Sequence, residues 1–334
     1  MKANKLWSLP LLAIFFLGST VSAINVAEIT DMTAGELQSV GFTTKKDARI
    51  TISAAGIRSV NSHDLLAYAW IINSDTRQLV WEMESRKTER MKAKGTLREF
   101  NGTEFLRAGN YELYYFVRQP DYWEWNNGRS NFFSALGSLF NGDDSRIRRS
   151  DIRDCFVTLT SDELTSTDIS RFEVDGGLEG ALVRHSRLGN DEFIKTGFEL
   201  TKPTSLRIYS LIEYPSYTDG SPADYAWIIN LDTREKVWET DKWNVEYGGG
   251  GEKNQLHDET VNFEKGRYVL YIVTDDSHSF EEFNANPPYD PYNWGVTILP
   301  GKNFDKTAFA AMEVPGRGEA LIDFTRARND DVQE

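Results

Sequence analysis

An acidic segment close to the C-terminus holds the residue types in this chain that could do chemistry. It contains Asp275, Asp276, His278 and Glu281, and it ends at Asp290 after two consecutive prolines. Carboxylate oxygens suit a hard cation such as calcium, whereas a histidine among carboxylates could instead suit a transition metal. These five residues are therefore the predicted metal ligands, and calcium is the cofactor that we expect first.

Two other interpretations of this segment stay open. Asp and Ser side chains after a strand commonly bond the amides of a tight turn, so the segment could be structural. Its carboxylates and His278 could also serve a metal-assisted hydrolase. For metal binding, His257 and Asp258 could approach from a neighbouring loop. Against catalysis, the sequence contains no Gly-x-Ser-x-Gly, His-Glu-x-x-His or phosphate-loop motif. We therefore favour a protein that is not an enzyme.

The tryptophans divide into two groups. Those that recur in both copies of an internal repeat are predicted core residues: Trp70, Trp81, Trp227 and Trp238. Those in predicted loops are candidates for stacking on a ligand such as a glycan, together with one loop tyrosine. These candidate ligand-binding residues are Trp123, Trp125, Trp243, Trp294 and Tyr289.

The internal repeat indicates which elements must position these residues. The segment Tyr68–Asn73, with the sequence Tyr-Ala-Trp-Ile-Ile-Asn, returns unchanged as Tyr225–Asn230, and Asp-Thr-Arg and Val-Trp-Glu follow each copy. Gly109 and Gly266, which open two later Gly-x-Tyr motifs, lie at equal distances from the two copies. Constant spacing over a long stretch predicts an internal duplication.

The composition of both copies predicts an all-β fold. Short runs rich in Val, Ile, Tyr, Trp and Thr are separated by Gly, Asp, Asn and Pro, which is typical of strands and turns. With several such strands in each copy, the simplest solution is two antiparallel sheets packed face to face. We expect two tandem, jelly-roll-like β-sandwich domains, unit one at 24–190 and unit two at 191–334, after a cleaved signal peptide at 1–23.

An aromatic and basic insert at 118–154 distinguishes the first unit from the second. Its apolar residues at helix-like spacing are Phe132, Phe133, Leu136, Leu139 and Phe140. They predict either a short helix that caps the sandwich or a docking surface. As a docking surface, residues 123–140 would contact a protein partner or membrane headgroups.

The first residues predict export. Lys2 and Lys5 precede an apolar run, and the Val-Ser-Ala sequence at 21–23 is a suitable cleavage site. No later run is long enough to span a membrane as a helix. Cys155 is the only cysteine, so no intramolecular disulfide can form, which favours a bacterial periplasm or secretion from a bacterium. A eukaryotic route stays open because the Asn-Gly-Thr sequence at 101–103 would accept a glycan there.

The charge of the chain makes nucleic acid an unsuitable partner. The formal net charge is −14 at pH 7, from 37 Lys and Arg against 51 Asp and Glu. A net negative field repels phosphate, and the basic residues are scattered apart from a small arginine cluster at 146–153. We expect a protein or a glycan partner instead.

The combined pattern resembles bacterial extracytoplasmic β-sandwich modules of the pre-peptidase C-terminal type, and more loosely those of the Golgi-dynamics type. The motifs that carry the resemblance are Tyr-Ala-Trp-Ile-Ile-Asn-x-Asp-Thr-Arg, Gly-x-Tyr-x-Leu-Tyr and the Asp-Asp-Ser-His-Ser-Phe sequence at 275–280. The resemblance implies an accessory sandwich that binds a ligand, a partner or calcium and catalyses no reaction.

Three functions are consistent with these patterns. The first is an exported, non-catalytic binding or accessory protein whose ligand or metal site lies in the loops of unit two. The second is a structural or assembly protein of the cell envelope that docks through the insert at 118–154. The third is a metal-assisted hydrolase that uses the unit-two carboxylates and His278.

Overall fold

Antiparallel strands account for most of the regular structure. The structure, a computed structural model, describes residues 23–59, 62–91, 95–119, 149–214 and 222–314. In that part of the chain, the helical elements are one short α-helix and three 3-10 turns: Arg149–Ile152, Ser85–Lys87, Pro291–Asn293 and Lys306–Ala308. The predicted all-β, antiparallel fold class is therefore confirmed.

The strands of the first unit form one sheet that folds into two layers. Among the described residues, they are β1 (Ile24–Ile29), β2 (Leu37–Thr44), β3 (Ala48–Arg58), β4 (Leu65–Asn73), β5 (Leu79–Glu82), β6 (Glu89–Arg90), β7 (Leu97–Leu106), β8 (Gly109–Val117), β9 (Phe156–Ser161) and β10 (Ile169–Phe172). One layer has the order β1-β9-β3-β7-β6, and the other has the order β5-β4-β8-β2-β10. The layers are continuous because the end of β3 pairs with β4 at Ile57 and Arg58.

The strands of the second unit form two separate sheets. They are β11 (Val183–Ser186), β12 (Phe193–Leu200), β13 (Thr204–Glu213), β14 (Tyr225–Asn230), β15 (Lys236–Glu239), β16 (Glu246–Tyr247), β17 (Asn254–Phe263), β18 (Gly266–Val273), β19 (Gly295–Pro300) and β20 (Phe309–Met312). The two sheets have the orders β11-β19-β13-β17-β16 and β15-β14-β18-β12-β20. Strand for strand, these orders repeat those of the first unit.

Strand β11 belongs to the second unit although it precedes residue 190. It pairs with β19, from Val183 with Ile298 to Ser186 with Gly295. Strand pairing therefore passes from one unit to the other between Phe172 and Val183, upstream of the domain limit predicted near residue 190. The first unit is accordingly defined as β1 to β10, and the second unit as β11 to β20.

Aromatic contacts link the two layers of each unit face to face. In the second unit, the ring centroids of Phe198 on β12 and Phe263 on β17 lie 6.2 Å apart. In the first unit, the centroids of Trp81 on β5 and Phe100 on β7 lie 5.1 Å apart. Because each pair joins strands from different layers, the core of each unit lies between its two layers, as in a β-sandwich.

The register of the strand pairs shows which residues of the two units are equivalent. Trp70 pairs with Tyr114 across β4 and β8, and Trp227 pairs with Tyr271 across β14 and β18. The duplication itself stays a prediction, but these equivalent ladders allow the two units to be compared residue by residue.

Several predicted features lie outside the described residues. They include most of the signal peptide at 1–23, the docking surface at 123–140, and the candidate ligand-binding residues Trp123 and Trp125. In the parts of the chain that the structure describes, no helix has the length and apolar character needed to cross a membrane.

Candidate functional site

The end of the acidic segment lies between the two units. The segment connects β18 to β19, and its residues 286–293, here called the interface segment, contact the outer side of the first unit. Trp70 on β4 donates from Nε1 to the backbone oxygen of Tyr289 at 2.8 Å. The hydroxyls of Ser39 on β2 and Tyr292 are hydrogen-bonded at 2.9 Å. The loop predicted to bind a ligand therefore joins one unit to the other.

Asp290, a predicted metal ligand, is bound to an arginine of the first unit. Arg77, which follows β4, donates from Nε to Asp290 Oδ2 at 3.0 Å, and its Nη2 also bonds the same carboxylate. The Tyr209 hydroxyl, at 2.9 Å, and the Asn293 amide, at 2.8 Å, donate to Oδ2 as well. Since Asp290 is buried and its carboxylate is bound by Arg77, Tyr209 and Asn293, it links the two units and has no side open to a metal ion.

Glu112 on β8 completes a buried charge cluster, which we define as Arg77, Glu112 and Asp290. Glu112 accepts from Arg77 Nη1 at 2.6 Å and Nη2 at 2.9 Å. It also accepts from the hydroxyls of Tyr114 at 2.5 Å and Ser74 at 2.8 Å. Burial alone would lower the pKa of Arg77, but the neighbouring carboxylates raise it above its ordinary value. One guanidinium thus binds two carboxylates, which also accept hydrogen bonds from neutral hydroxyl and amide donors.

His278 is a buried residue of the same loop. Its Nε2 lies 2.6 Å from Oδ1 of Asn254, and its Nδ1 lies 3.0 Å from Oδ1 of Asn284. Burial holds the pKa of His278 well below its ordinary value. Trp294 packs edge-on against the histidine ring at 5.4 Å and is 1% exposed. Trp294 is therefore a core residue, because a ring enclosed in this way cannot offer its face to a ligand.

The remaining predicted metal ligands are dispersed. Asp275 accepts from the backbone amide of Ser277 at 3.0 Å, as the structural-turn interpretation expects, while Asp276 and Glu281 are exposed. Within the described residues, no group of three or more His, Cys, Asp or Glu side chains could hold a metal ion. The five predicted ligands are thus divided between a turn (Asp275), a buried histidine pocket (His278), the charge cluster (Asp290) and two exposed positions.

A run of glycines at 248–251 allows the β16–β17 connection to approach the interface segment. The Gly251 amide donates to the backbone oxygen of Asn286 at 2.9 Å. Gly250 has a φ of +67°, and a Cβ there would lie 2.0 Å from the backbone oxygen of Pro287. Only glycine suits this position, because any side chain would displace the interface segment.

The interface segment covers an aromatic row on the first unit. Tyr68, Trp70 and Tyr114 stack side by side, with ring centroids 5.2 Å apart at both steps. All three are buried, and the ring of Tyr292 meets Tyr114 edge-on at 5.6 Å. We call this row the covered face.

The counterpart of this row in the second unit is partly exposed. Tyr225, Trp227 and Tyr271 stack with ring centroids 5.1 Å apart at both steps, and Phe193 continues the row 6.3 Å from Tyr271. The ammonium group of Lys195 lies 5.0 Å from the centre of the Phe193 ring. Phe193 is 40% exposed and the other members of the row are half-buried. We call these five residues the open face.

The position of Trp227 differs from its prediction as a core residue. Trp70, Trp81 and Trp238 are buried as predicted. Along β14, however, Ala226 and Ile228 point inward and are buried, whereas Trp227 lies on the outer side between them and stays half-buried. A strand that is apolar on both sides predicts two packed sides, but it does not indicate whether a neighbour covers the outer one.

Two predicted ligand-binding aromatics lie in loops, in different environments. Trp243, on the β15–β16 connection, is 84% exposed, and the ammonium group of Lys242 lies 4.9 Å from its ring centre. Tyr289 is half-buried in the interface segment, where its hydroxyl donates to Glu82 at 2.8 Å. Tyr289 therefore binds the first unit, while Trp243 remains accessible to a ligand.

A polar pair occupies the core of the second unit where the first unit is apolar. Ser210 faces His257 across β13 and β17, at the step of the ladder where Ala54 faces Phe100 in the first unit. Among the described residues, neither the Ser210 hydroxyl nor either ring nitrogen of His257 has a hydrogen-bond partner. Burial lowers the pKa of His257 to about 4, so its ring is neutral at neutral pH.

Comparisons with known proteins leave the function of the chain open. No protein-family model matches it, and no curated protein matches it. Among solved structures, it is similar to the CUB1-EGF-CUB2 domain of human MASP-1/3, with 8% identity and a TM-score of 0.23 over 82% of this chain and 99% of that one. A TM-score this low carries no information about what the chain binds.

Proposed function

We propose that this chain is an exported, non-catalytic binding or accessory protein whose binding surface is the open face of the second unit. The observation that carries the proposal is the contrast between the two aromatic rows. The covered face already has an occupant, and the open face presents the same side chains to solvent. Exposed apolar surface rimmed by charge usually marks a contact site.

The placement of the acidic residues supports a binding role over a hydrolytic one. A metal-assisted hydrolase would need carboxylates and a histidine that converge on one accessible point. Instead, Asp290 is paired with Arg77, His278 is buried, and Asp275 bonds a turn amide. The resemblance to extracytoplasmic accessory modules agrees with this role, and the leader sequence at 1–23 supports export.

Removal of the central tryptophan of the open face tests the proposal. The purified mature chain and its Trp227→Ala variant would be titrated with an acidic peptide, chitohexaose and phosphatidylglycerol vesicles, with surface plasmon resonance as the measurement. We expect at least one probe to bind the wild type and to bind the variant about tenfold more weakly, because a buried aromatic anchor contributes most of the energy of a contact.

Trp243→Ala is the control, because it removes a tryptophan of the second unit that lies outside the open face. It should leave binding of that probe within about twofold of the wild type. Unchanged circular dichroism and an unchanged urea midpoint would show that Trp227→Ala remains folded. A panel in which no probe depends on Trp227, or in which both variants lose binding equally, would contradict the proposal.

A further inference from the structure

We propose that the open face binds an extended acidic peptide segment of the same kind as residues 286–293 of this chain, with a peptide carbonyl on Trp227 and a carboxylate on Arg234. The inference rests on the proposed function and specifies the class of partner. Its basis is the covered face, where the molecule already binds such a segment within itself.

The covered face shows the mode of recognition. Trp70 Nε1 donates to the backbone oxygen of Tyr289, and Arg77 binds the side chain of the next residue, Asp290. The indole of Trp70 thus binds a backbone carbonyl, and the guanidinium of Arg77 binds the carboxylate of the following residue. Charge-assisted bonds from arginine to a carboxylate are both strong and directional, so this pair fixes the register of the segment.

The second unit presents the same two donors without partners. Arg234 occupies the same Asn-x-Asp-Thr-Arg turn as Arg77, with a φ of +64° against +59°. In both turns the leading asparagine side chain, Asn73 or Asn230, accepts from the backbone amides two and three residues on. Among the described residues, the exposed Arg234 makes no ion pair, and Trp227 donates no hydrogen bond.

Ring orientation favours a peptide over a sugar. The planes of Trp227 and Tyr271 are only 8° apart at a centroid spacing of 5.1 Å, so the rings stand side by side and cover each other's faces. A sugar needs a free aromatic face to stack on, whereas a peptide carbonyl needs a donor at a ring edge. The open face therefore offers edge donors, as the covered face does to Tyr289.

Charge favours an acidic peptide. Glu112, which shares Arg77 in the first unit, corresponds to Val269 in the second. Arg234 therefore has no internal carboxylate at that position, and its guanidinium can pair with a carboxylate of a ligand. Lys195 stands where Ser39 bonds Tyr292 in the first unit, and it adds a second cation to the same face. Complementary charge gives specificity and speeds association.

A synthetic peptide with the chain's own sequence from 285 to 294, Ala-Asn-Pro-Pro-Tyr-Asp-Pro-Tyr-Asn-Trp, is the direct probe. Fluorescence anisotropy of the labelled peptide would be measured with the full mature chain at low salt. The covered face does not compete for it, because its tethered segment has an effective concentration in the millimolar range. We expect Arg234→Glu to weaken binding about tenfold, and Trp227→Phe, which removes the N–H donor and keeps a smaller aromatic ring, to weaken it about fivefold.

The controls separate charge recognition from a general loss of binding. Lys242→Glu changes the charge equally, outside the open face, and should alter binding less than twofold. A peptide with Lys in place of its Asp should bind Arg234→Glu better than it binds the wild type. Equal binding of the original peptide to the wild type, Arg234→Glu and Trp227→Phe would overturn the inference.

The remaining outcomes distinguish this inference from the proposed function. If chitohexaose or phosphatidylglycerol vesicles bind in a manner that depends on Trp227 and the peptide does not bind, the peptide inference fails and the binding role stands. If no probe depends on Trp227, both fail.

Discussion

Arg77 links the two units through a buried guanidinium. Its guanidinium and the carboxylates of Glu112 and Asp290 are each almost fully shielded from water. A complete buried cluster gains little over an apolar one, because desolvation offsets the attraction between the charges. Removal of the Arg77 guanidinium alone costs much more free energy, because it leaves two carboxylates buried next to each other without solvent.

Arg77→Met should therefore destabilise the chain strongly, by about 3–5 kcal/mol. Urea unfolding followed by circular dichroism measures the change. Arg234→Met is the matched control, because it alters the equivalent turn at an exposed position, and it should change stability by no more than about 0.5 kcal/mol. Similar values for the two variants would mean that the charge cluster contributes nothing to stability.

His257 should make the second unit sensitive to acid. Its folded pKa of about 4 lies below the ordinary value near 6.5, so the unfolded chain binds a proton in this interval and the folded chain does not. Stability from this residue is full above about pH 6.5 and falls as the pH drops towards 4. His257→Phe, which copies Phe100 of the first unit, should remove that fall.

Urea unfolding of the wild type and His257→Phe at pH 7 and pH 4.5 measures this difference. The variant should lose less stability on acidification, by up to about 1.4 kcal/mol per pH unit between the two pKa values. His63→Phe, at an exposed histidine, should follow the wild type at both pH values. If His257→Phe loses as much stability as the wild type, the buried ring is not the acid-sensitive group.

At this scale the sequence predicts burial well where both sides of a strand are packed. Recurrence predicts Trp70, Trp81, Trp227 and Trp238 as core residues. The first two and Trp238 are buried, whereas Trp227 is half-buried. The roles of Asp290 and Arg77 cannot be predicted in this way, because partners so far apart in sequence leave no local pattern. The two units contain the same Asp-Thr-Arg turn, and only tertiary contact decides which arginine is buried.

The loop that carries the predicted metal ligands acts as one structural element with the glycine turn at 248–251. The turn can lie against the interface segment because Gly250 has no side chain and a left-handed backbone. Elements that meet backbone to backbone tolerate almost no added volume.

Gly250→Ala should destabilise the chain by clearly more than the roughly 1 kcal/mol expected for an alanine at positive φ, because its Cβ would meet the Pro287 carbonyl oxygen. Gly180→Ala is the matched control. Gly180 has a φ of +76°, but a Cβ added there would lie 4.0 Å from its nearest neighbour, Pro300, so only the backbone penalty applies. Thermal unfolding of the two variants measures the difference. Equal losses of stability would show that the interface segment moves away from the added Cβ at no cost in free energy.

The strands themselves can be predicted because each one carries its own alternation and turn signals. Local residues alone are enough to recognise Tyr68–Asn73 and Tyr225–Asn230 as strands in hairpins. The path of residues 274–294 cannot be predicted, because a loop rich in Asp, Ser and Pro has the same pattern whether it faces solvent or a second unit. What places it is contact with Trp70 and Arg77, which is set by the whole fold.

For the molecule as a whole, the buried charge cluster should make the two units unfold together. Cys155 provides a reporter in the first unit, since it is 1% exposed and burial raises its pKa to about 12, so it should react with iodoacetamide only after that unit unfolds. In the wild type, we expect the urea midpoint for Cys155 labelling to coincide with that from circular dichroism.

In Arg77→Met the two midpoints should separate, because the units lose the contact that couples their folding. Differential scanning calorimetry gives an independent measure, with one transition in the wild type and two in the variant. Two well-separated transitions in the wild type would show that the units are thermodynamically independent.

The covered face is occupied by the interface segment and the open face is not, and this difference affects the number of ligands that one chain can bind. In the part of the chain that the structure describes, the interface segment covers one row, and the other row is the one proposed to bind a ligand. A monomer of this kind should saturate at one equivalent of ligand and should be unable to crosslink or agglutinate its targets. A target that displays many copies of the recognised sequence would bind several chains independently, so binding would follow the concentration of this protein and show no avidity.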